Sequence, residues 1–249
     1  MIKKQYLFVS GASSGIGAVI CKELSKSYNL VLHGRDLEKI NSVLQNCENK
    51  AKHILFLADL ERYDLFEELL GKFMVDNKIS ISGFIHCAGL MKMIPAKMYS
   101  VAAIQNLFSV NLFSATIIVK TLLQRKYNSD NLKNIIFISS NISNFGAKAF
   151  GLYSASKSGL DGLMRSLAVE LAPKIRVNSI LPGAIRTNMT SEIFQDEEKV
   201  KKILDAYPLG EGYPQDIANT VEFLLSENSR WITGQQITID GGRTVDISG

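Results

Sequence analysis

Short apolar runs rich in Val, Ile, Leu and Phe recur at Tyr6–Val9, Leu30–Leu32, Ile54–Leu57, Gly83–Ile85, Ile135–Ile138, Val177–Ile180 and Gln236–Ile239. Runs this short, without polar alternation, predict strands buried on both faces. Longer amphipathic segments fill the intervals, at Ile16–Ser27, Leu37–Cys47, Asp64–Val75, Val101–Gln124, Tyr153–Leu171 and Asp216–Leu225. A strand that crosses over through a helix re-enters its sheet in parallel, so the alternation predicts an α/β fold. Its centre is one doubly wound parallel sheet of about seven strands with helices on both faces. A chain of 249 residues that is 46% hydrophobic can bury such a core. No side-chain pattern repeats at a period of roughly 20 to 50 residues and no low-complexity linker interrupts the chain, so residues 1–249 read as a single domain. One stretch breaks the rhythm. Residues 186–211 are polar and charged, follow Pro182-Gly183, and read as a substrate flap with apolar Met189, Ile193, Phe194, Ile203 and Leu204.

Several function classes drop out at this level. The 28 basic and 24 acidic residues are interspersed and leave a net charge of only +4, which gives nucleic acid no basic face to bind. Cys21, Cys47 and Cys87 are odd in number and far apart, without metal-ligand spacing. They predict neither a disulfide framework nor a zinc site, and they fit a reducing cytoplasm. The apolar run after Lys3-Lys4 ends at Ser10-Gly11, too short for a secretory core. Leu107–Leu123 is interrupted by Asn111 and Lys120 and reads as a core helix, not a membrane span.

The chemistry is concentrated in two places. Ser10-Gly11-Ala12-Ser13-Ser14-Gly15-Ile16-Gly17 lies between the first strand and the first helix. Glycines there allow a tight turn and close backbone approach, and the helix start offers free N–H groups to a pyrophosphate. Further on, Tyr153 and Lys157 stand one helical turn apart, so an ammonium can approach a phenol. A cation there lowers a tyrosine from its ordinary value of ~10 toward the pH at which it can exchange protons. The pair alone is common on wet helix faces.

Together these motifs resemble the short-chain dehydrogenase/reductase family over nearly the whole chain, most closely the 3-oxoacyl-carrier-protein reductases. The family's Thr-Gly-x-x-x-Gly-x-Gly start appears with Ser10 for Thr. Asp59-Leu60 matches its adenine-side acid, and Cys87-Ala88-Gly89 ends its Asn-Asn-Ala-Gly stretch, with His86 and Cys87 replacing both asparagines. Asn178, Pro182-Gly183, Ile185 and Thr187 match the stretch beside the nicotinamide, and Trp231–Gly234 and Ile239–Gly242 match the last strand region. The resemblance implies a Rossmann-like domain with Asn111, Ser140, Tyr153 and Lys157 as catalytic residues. It implies a cofactor held by Gly11, Ser13, Ser14, Gly15, Ile16 and Gly17, by Asp59, Leu60, Ala88 and Gly89, by Tyr153 and Lys157, and by Pro182, Gly183, Ile185 and Thr187.

In that reading Tyr153 protonates a carbonyl oxygen as hydride arrives, Lys157 lowers its pKa and holds the nicotinamide ribose, and Ser140 hydrogen bonds the same substrate oxygen. Ser139 competes with Ser140, but Ser140 has the family's separation of thirteen residues from Tyr153. Ser143 is an auxiliary polar contact. Asn111 is either a satisfied core amide or the holder of a water that extends a proton relay through Lys157. His33, His53 and His86 read as structural. Gly34 ends the second strand without a carboxylate and Arg35 follows, an arrangement that favours NADP(H) over NAD(H), while Asp36 reads as the cap of the next helix.

The substrate expected from the resemblance is a 3-oxoacyl thioester, with a sugar, steroid or small ketone as alternatives. An acidic carrier protein could meet a rim of Lys126, Lys133 and Lys174. A noncatalytic NADP(H)-binding regulator or partner subunit is the alternative of another class. The family's homotetramer would form through Val101–Gln124, Tyr153–Leu171 and the last strand.

Overall fold

Seven strands, β1 (Lys4–Ser10), β2 (Leu30–Gly34), β3 (Ile54–Leu57), β4 (Ile79–His86), β5 (Asn134–Ile138), β6 (Arg176–Pro182) and β7 (Gln236–Ile239), form one parallel sheet. Their order is β3-β2-β1-β4-β5-β6-β7 in the computed structural model, which describes residues 4–187, 190, 201 and 205–246. The chain winds outward from β1 to β3 and then returns to place β4 beside β1. That reversal opens a crevice above the carboxyl ends of β1 and β4, where ligands of such sheets bind.

Alternation along each strand divides the core into two layers. Leu7, Val9, Leu30, Leu32, Ile85 and Ile136 face helices α1 (Gly15–Leu24), α2 (Leu37–Gln45) and α8 (Pro214–Leu225) through Ile20, Leu24, Ile40, Ile217 and Val221. Phe8, Val31, Phe84, Ile135 and Phe137 face the other side. There they meet α3 (Tyr63–Asp76), α5 (Ser114–Leu123) and α7 (Gly151–Leu171) through Phe66, Leu70, Ile118, Leu122, Leu160 and Met164. The expectation of burial on both faces fails for β3 and β7. They are the edges of the sheet, Leu57 is exposed and no residue of β7 is fully buried. With one neighbour each, edge strands lack the flanking cover of the central five.

Asp36 caps α2 as its sequence position predicts, accepting hydrogen bonds from the N–H groups of Glu38 (3.0 Å) and Lys39 (3.1 Å). The segment Val101–Gln124, expected as one amphipathic element with Asn111 among its apolar residues, is one helical run. It comprises α4 (Val101–Phe108), a π-helical turn at Ser109–Phe113, and α5. Length and composition alone would let this run cross a membrane, a test that core helices also pass, and its buried face packs in the core as the sequence reading expects. Asn111 widens the helix without ending it, because its amide finds partners inside the fold. Leu107, Val110, Ala115, Ile118, Val119 and Leu122 are buried, while Val101, Ile104 and Phe113 are exposed. The four-residue helix α6 (Arg125–Asn128) then leads to β5.

The excursion after β6 leaves and returns at one place: Ile185 bridges Gly212, and Arg186 pairs with Glu211 at 2.6 Å. Tyr207 lies at its base and its hydroxyl accepts from the Ala184 N–H at 2.8 Å. Met189, Ile193, Phe194, Ile203 and Leu204, the apolar residues assigned to a flap, lie outside the described residues.

Candidate active site

The turn after β1 begins at Gly11, which has a φ of +69° and leaves no room for a side chain, since a Cβ would lie 2.6 Å from the backbone of Ala88 at the end of β4. Gly17 packs the first turn of α1 on that same turn, where a Cβ would lie 2.2 Å from the Gly11 carbonyl oxygen. Ser14 occupies the N-cap of α1 but makes no side-chain cap. The helix therefore starts with backbone N–H groups and a hydroxyl facing the crevice, which is an anion-binding arrangement.

The crevice is a cleft of about 540 Å³. One end is formed by Ser13, Ser14, Gly34, Arg35, Lys39 and Asp59-Leu60, the middle by Gly15, Ile16, Cys87, Ala88, Gly89 and Ile185, and the far end by Ser140, Tyr153, Lys157, Pro182, Gly183 and Thr187. Leu90, Met91, Ile142 and Phe150 give the far end an apolar wall. Gly11 and Gly17 also line the cleft, so the cofactor residues implied by the resemblance converge on one elongated site. A dinucleotide fits this site: the glycine turn leaves backbone exposed where phosphates would lie, and the cleft joins it to Tyr153 and Lys157.

Helix α7 carries Tyr153 and Lys157 on its buried face. The Tyr153 hydroxyl hydrogen bonds the Ser140 side chain. Lys157 donates from Nζ to the Ile138 carbonyl at 2.8 Å and lies 6.0 Å from the Tyr153 ring centroid. Ser139, the competitor, turns the other way. Its hydroxyl bonds Asp161 Oδ2 at 2.9 Å, so the geometry favours Ser140 as the tyrosine's partner. Asp161 was not singled out from the sequence, although its position four residues beyond Lys157 is the signal that could have found it.

One electrostatic expectation is corrected. Burial pushes the Tyr153 phenol up to about 12, against the opposing pull of its hydrogen bond to Ser140. Lys157 does not bring it down, because the ammonium is turned to the Ile138 carbonyl. Lys157 itself is pushed down to about 8 by burial, with Cys87 and Asp161 acting in the opposite direction. Cys87, also in the cleft, is pushed up to about 12 by burial and is a thiol at neutral pH.

Asn111 stands behind the cleft. Its Oδ1 accepts from the Leu90 N–H at 2.7 Å, and its Nδ2 donates to the Leu90 carbonyl (3.0 Å) and to Ser156 Oγ (2.9 Å). Both amide hydrogens are used, which is the pattern of a satisfied core amide. Asn178 is structural too, tying β6 to the Ile232 carbonyl and the Gln235 N–H. Ser143 lies outside the cleft lining, and Ser158 Oγ donates to its carbonyl. His53 bonds the Leu30 N–H and the Glu48 carbonyl. His33 bonds the Ala58 carbonyl and, buried, is pushed down to about 4.

At the other end Arg35 lies beside Asp59 (3.9 Å) and Glu61 (3.5 Å), and Lys39, unremarkable in the sequence, joins it at the cleft mouth. The lysine rim assigned to a carrier is misplaced. Lys133 and Lys174 precede the amino ends of β5 and β6, and α6, with Lys126, is tied to the start of β4 through Asn128 and Ile81. The cleft opens at the carboxyl ends, where the exposed lysines of the neighbouring loops include Lys92, Lys97 and Lys148.

Residues 11–244 match the family described as enoyl-(acyl carrier protein) reductase. The chain is 32% identical to the 3-oxoacyl-[acyl-carrier-protein] reductase of Buchnera aphidicola subsp. Schizaphis graminum, over 97% of this chain and 98% of that one. It is 31% identical to the L-xylulose reductase of Caenorhabditis elegans, over 95% and 94%. Among solved structures, a 4-hydroxyisoleucine dehydrogenase mutant complexed with NADH and succinate superposes with a TM-score of 0.89 at 29% identity, covering 97% of this chain and 99% of that one.

Proposed function

The chain belongs to the short-chain dehydrogenase/reductase family and is an oxidoreductase of CH–OH and C=O groups, and we propose that it is an NADP(H)-dependent reductase of 3-oxoacyl thioesters. The observation that carries the substrate class is the wall of Leu90, Met91, Ile142 and Phe150 beside the Tyr153–Ser140 pair. An acyl chain can bury itself on that wall, whereas a sugar would leave hydroxyls facing it without partners. The relative from Buchnera supports the same reading.

When bound, the nicotinamide supplies the hydride. The N–H groups at the start of α1 would hold the pyrophosphate, Lys157 and Tyr153 would hold the ribose, and Tyr153 O–H would donate its proton to the substrate oxygen while Ser140 hydrogen bonds that oxygen. A phenol pushed up by burial is fully protonated at neutral pH, which suits the reductive direction. Each methylene placed on the apolar wall adds about 0.8 kcal/mol, so lengthening the acyl chain should raise kcat/KM by up to about fourfold per carbon until the wall is filled. Following NADPH oxidation against a series of 3-oxoacyl thioesters, xylulose and small ketones tests this. A flat response to chain length, or a faster sugar, would overturn the thioester assignment. Cofactor binding with no turnover on any of them would favour the noncatalytic regulator.

Arg35 and Lys39 are proposed to receive the 2′-phosphate of NADP(H). Arg35 is more than half exposed and already has acidic neighbours, so its contribution belongs at the lower end of charged hydrogen bonds, about 1.5 kcal/mol. Arg35→Ala should then weaken NADPH binding about tenfold and leave NADH binding within about twofold. Titration of both cofactors by fluorescence checks it, and an unchanged NADPH preference would sink the assignment. The exposed Val101, Ile104 and Phe113 of the α4–α5 run and Val169 of α7 support a homotetramer built on those helices. Lys92, Lys97 and Lys148 are among the cations an acidic carrier would meet near the cleft.

A further inference from the structure

Three polar side chains on the buried face of α7, Tyr153, Lys157 and Asp161, follow one another at intervals of one helical turn. They meet three successive residues where β5 ends. Lys157 Nζ donates to the Ile138 carbonyl at 2.8 Å, the Tyr153 hydroxyl hydrogen bonds the Ser140 side chain, and between them Asp161 Oδ2 accepts from the Ser139 hydroxyl at 2.9 Å. Two of these contacts belong to the proton-transfer site already described. The third, between Ser139 and Asp161, has no part in the reaction as derived.

A carboxylate is costly at this place. Asp161 is 1% exposed, and its Oδ1 has no hydrogen-bond partner among the described residues. Burial strips a carboxylate of its hydration, and one bond from a hydroxyl offsets only part of that loss. Its helix neighbours Leu160 and Met164 belong to the core under the sheet, where an apolar residue at 161 would carry no such cost. Stability therefore does not account for Asp161. What its bond does is geometric. The Ser139 N–H donates to the Ile180 carbonyl of β6 at 2.8 Å, and the Ser139 hydroxyl also lies 3.4 Å from the Lys157 carbonyl. Ser139 is thus held to the sheet by its backbone and to α7 by its side chain, and the residues on either side of it are the ones that Lys157 and Tyr153 use.

We propose that Asp161 is a positioning residue: through Ser139 it clamps the end of β5 to α7, and so sets where the Ser140 hydroxyl stands beside Tyr153 and where the Ile138 carbonyl holds Lys157. The kinetic consequence rests on the proposed carbonyl reduction, whereas the geometric one does not. A shift of Ser140 or Lys157 relative to the phenol changes the distances at the substrate oxygen, where a displacement of about 1 Å costs up to about a hundredfold in rate. The Asp161 charge also acts to raise Lys157, so its variants are best compared at pH 6, well below the value of about 8 at which Lys157 loses its proton.

Asp161→Ala removes the bond from one side and Ser139→Ala from the other, while Asp161→Asn keeps an oxygen that accepts from Ser139. The double variant Ser139→Ala/Asp161→Ala takes away both groups and leaves neither unpaired in the core. With NADPH and a 3-oxoacyl thioester, each single Ala variant should lower kcat about tenfold. The double variant should lie within about twofold of the slower single one, and Asp161→Asn within about threefold of native. A native kcat in the double variant, whatever its melting temperature, would make Asp161 a stability residue only and overturn the proposal. Losses that multiply in the double variant, or an Asn variant as slow as the Ala variant, would overturn it too. Where a single Ala variant does not fold, the double and Asn variants decide. A crystal structure of the double variant reads the geometry without any substrate: the distance from Lys157 Nζ to the Ile138 carbonyl, 2.8 Å in the native protein, should open beyond about 3.5 Å. An unchanged distance would overturn the proposal whatever the kinetics. If no carbonyl substrate is turned over, the proposed function falls and this distance alone decides the role of Asp161.

Discussion

Tyr153→Phe is expected to lower kcat/KM for carbonyl reduction about 10³-fold while NADPH binding stays within about threefold of native. Tyr153 is buried, bonded to Ser140 and, at about 12, protonated throughout the working range. Loss of its hydroxyl removes the proton donor for the substrate oxygen and leaves Ser140 as the single donor where negative charge develops. The ring itself remains, so the packing against Phe150 (6.2 Å between centroids) and the cleft wall is kept and the fold should not suffer. The pH dependence has a definite sign. As the acid gives up its proton, the Lys157 ammonium must turn from the Ile138 carbonyl to stabilise the phenolate, and Lys157 is charged below about 8 and neutral above it. Reduction by the native protein should therefore be fastest below that value and decline as the pH rises through it, while the residual rate of Tyr153→Phe should be far less sensitive. Stopped-flow NADPH oxidation from pH 6 to 10 measures both. A Phe variant retaining a tenth or more of the native kcat/KM would rule out Tyr153 as the acid.

What the sequence disclosed was whatever depends on residue type at fixed spacing. The alternation of apolar runs and amphipathic segments led to the sheet and its helices, and the glycine turn led to the end of β1, because both signals are local. Side-chain direction was not legible. Ser139 and Ser140 differ by one residue, and only the fold turns one to Asp161 and the other to Tyr153. The Tyr153–Lys157 spacing placed both groups on one helix face but could not reveal that Lys157 spends its ammonium on a β-strand carbonyl, so the direction of the tyrosine shift came out reversed. Asn111 could be read from the sequence as a satisfied core amide, but the π turn and the three hydrogen bonds that satisfy it depend on partners distant in sequence and could not be named. The rim lysines failed for a topological reason: which end of a strand carries the cleft is decided by winding, not by charge.

Gly17→Ala is expected to weaken NADPH binding by more than about 10²-fold and to destabilise the fold by roughly 2–4 kcal/mol. Substituting alanine for glycine inside an exposed helix ordinarily gains about 1 kcal/mol, because the unfolded chain loses freedom. Here the new methyl would sit 2.2 Å from the Gly11 carbonyl oxygen and 2.9 Å from its carbon. Those atoms are backbone and cannot rotate away. Gly11 cannot retreat either, since its own Cα packs on Ala88 closely enough that a Cβ would be 2.6 Å away. The only relief is to tilt α1 from the turn, which displaces the N–H groups proposed to hold the pyrophosphate and strips contacts from Ile20 and Leu24 in the core. Gly162→Ala in α7 is the control, because its nearest neighbour is the end of the Arg165 side chain at 3.9 Å, and it should be neutral or stabilising. Thermal melts and cofactor titration of the two variants compare them directly. Native NADPH affinity in Gly17→Ala would mean that the close contact of α1 with the turn, and with it the phosphate cradle, is not what holds the cofactor.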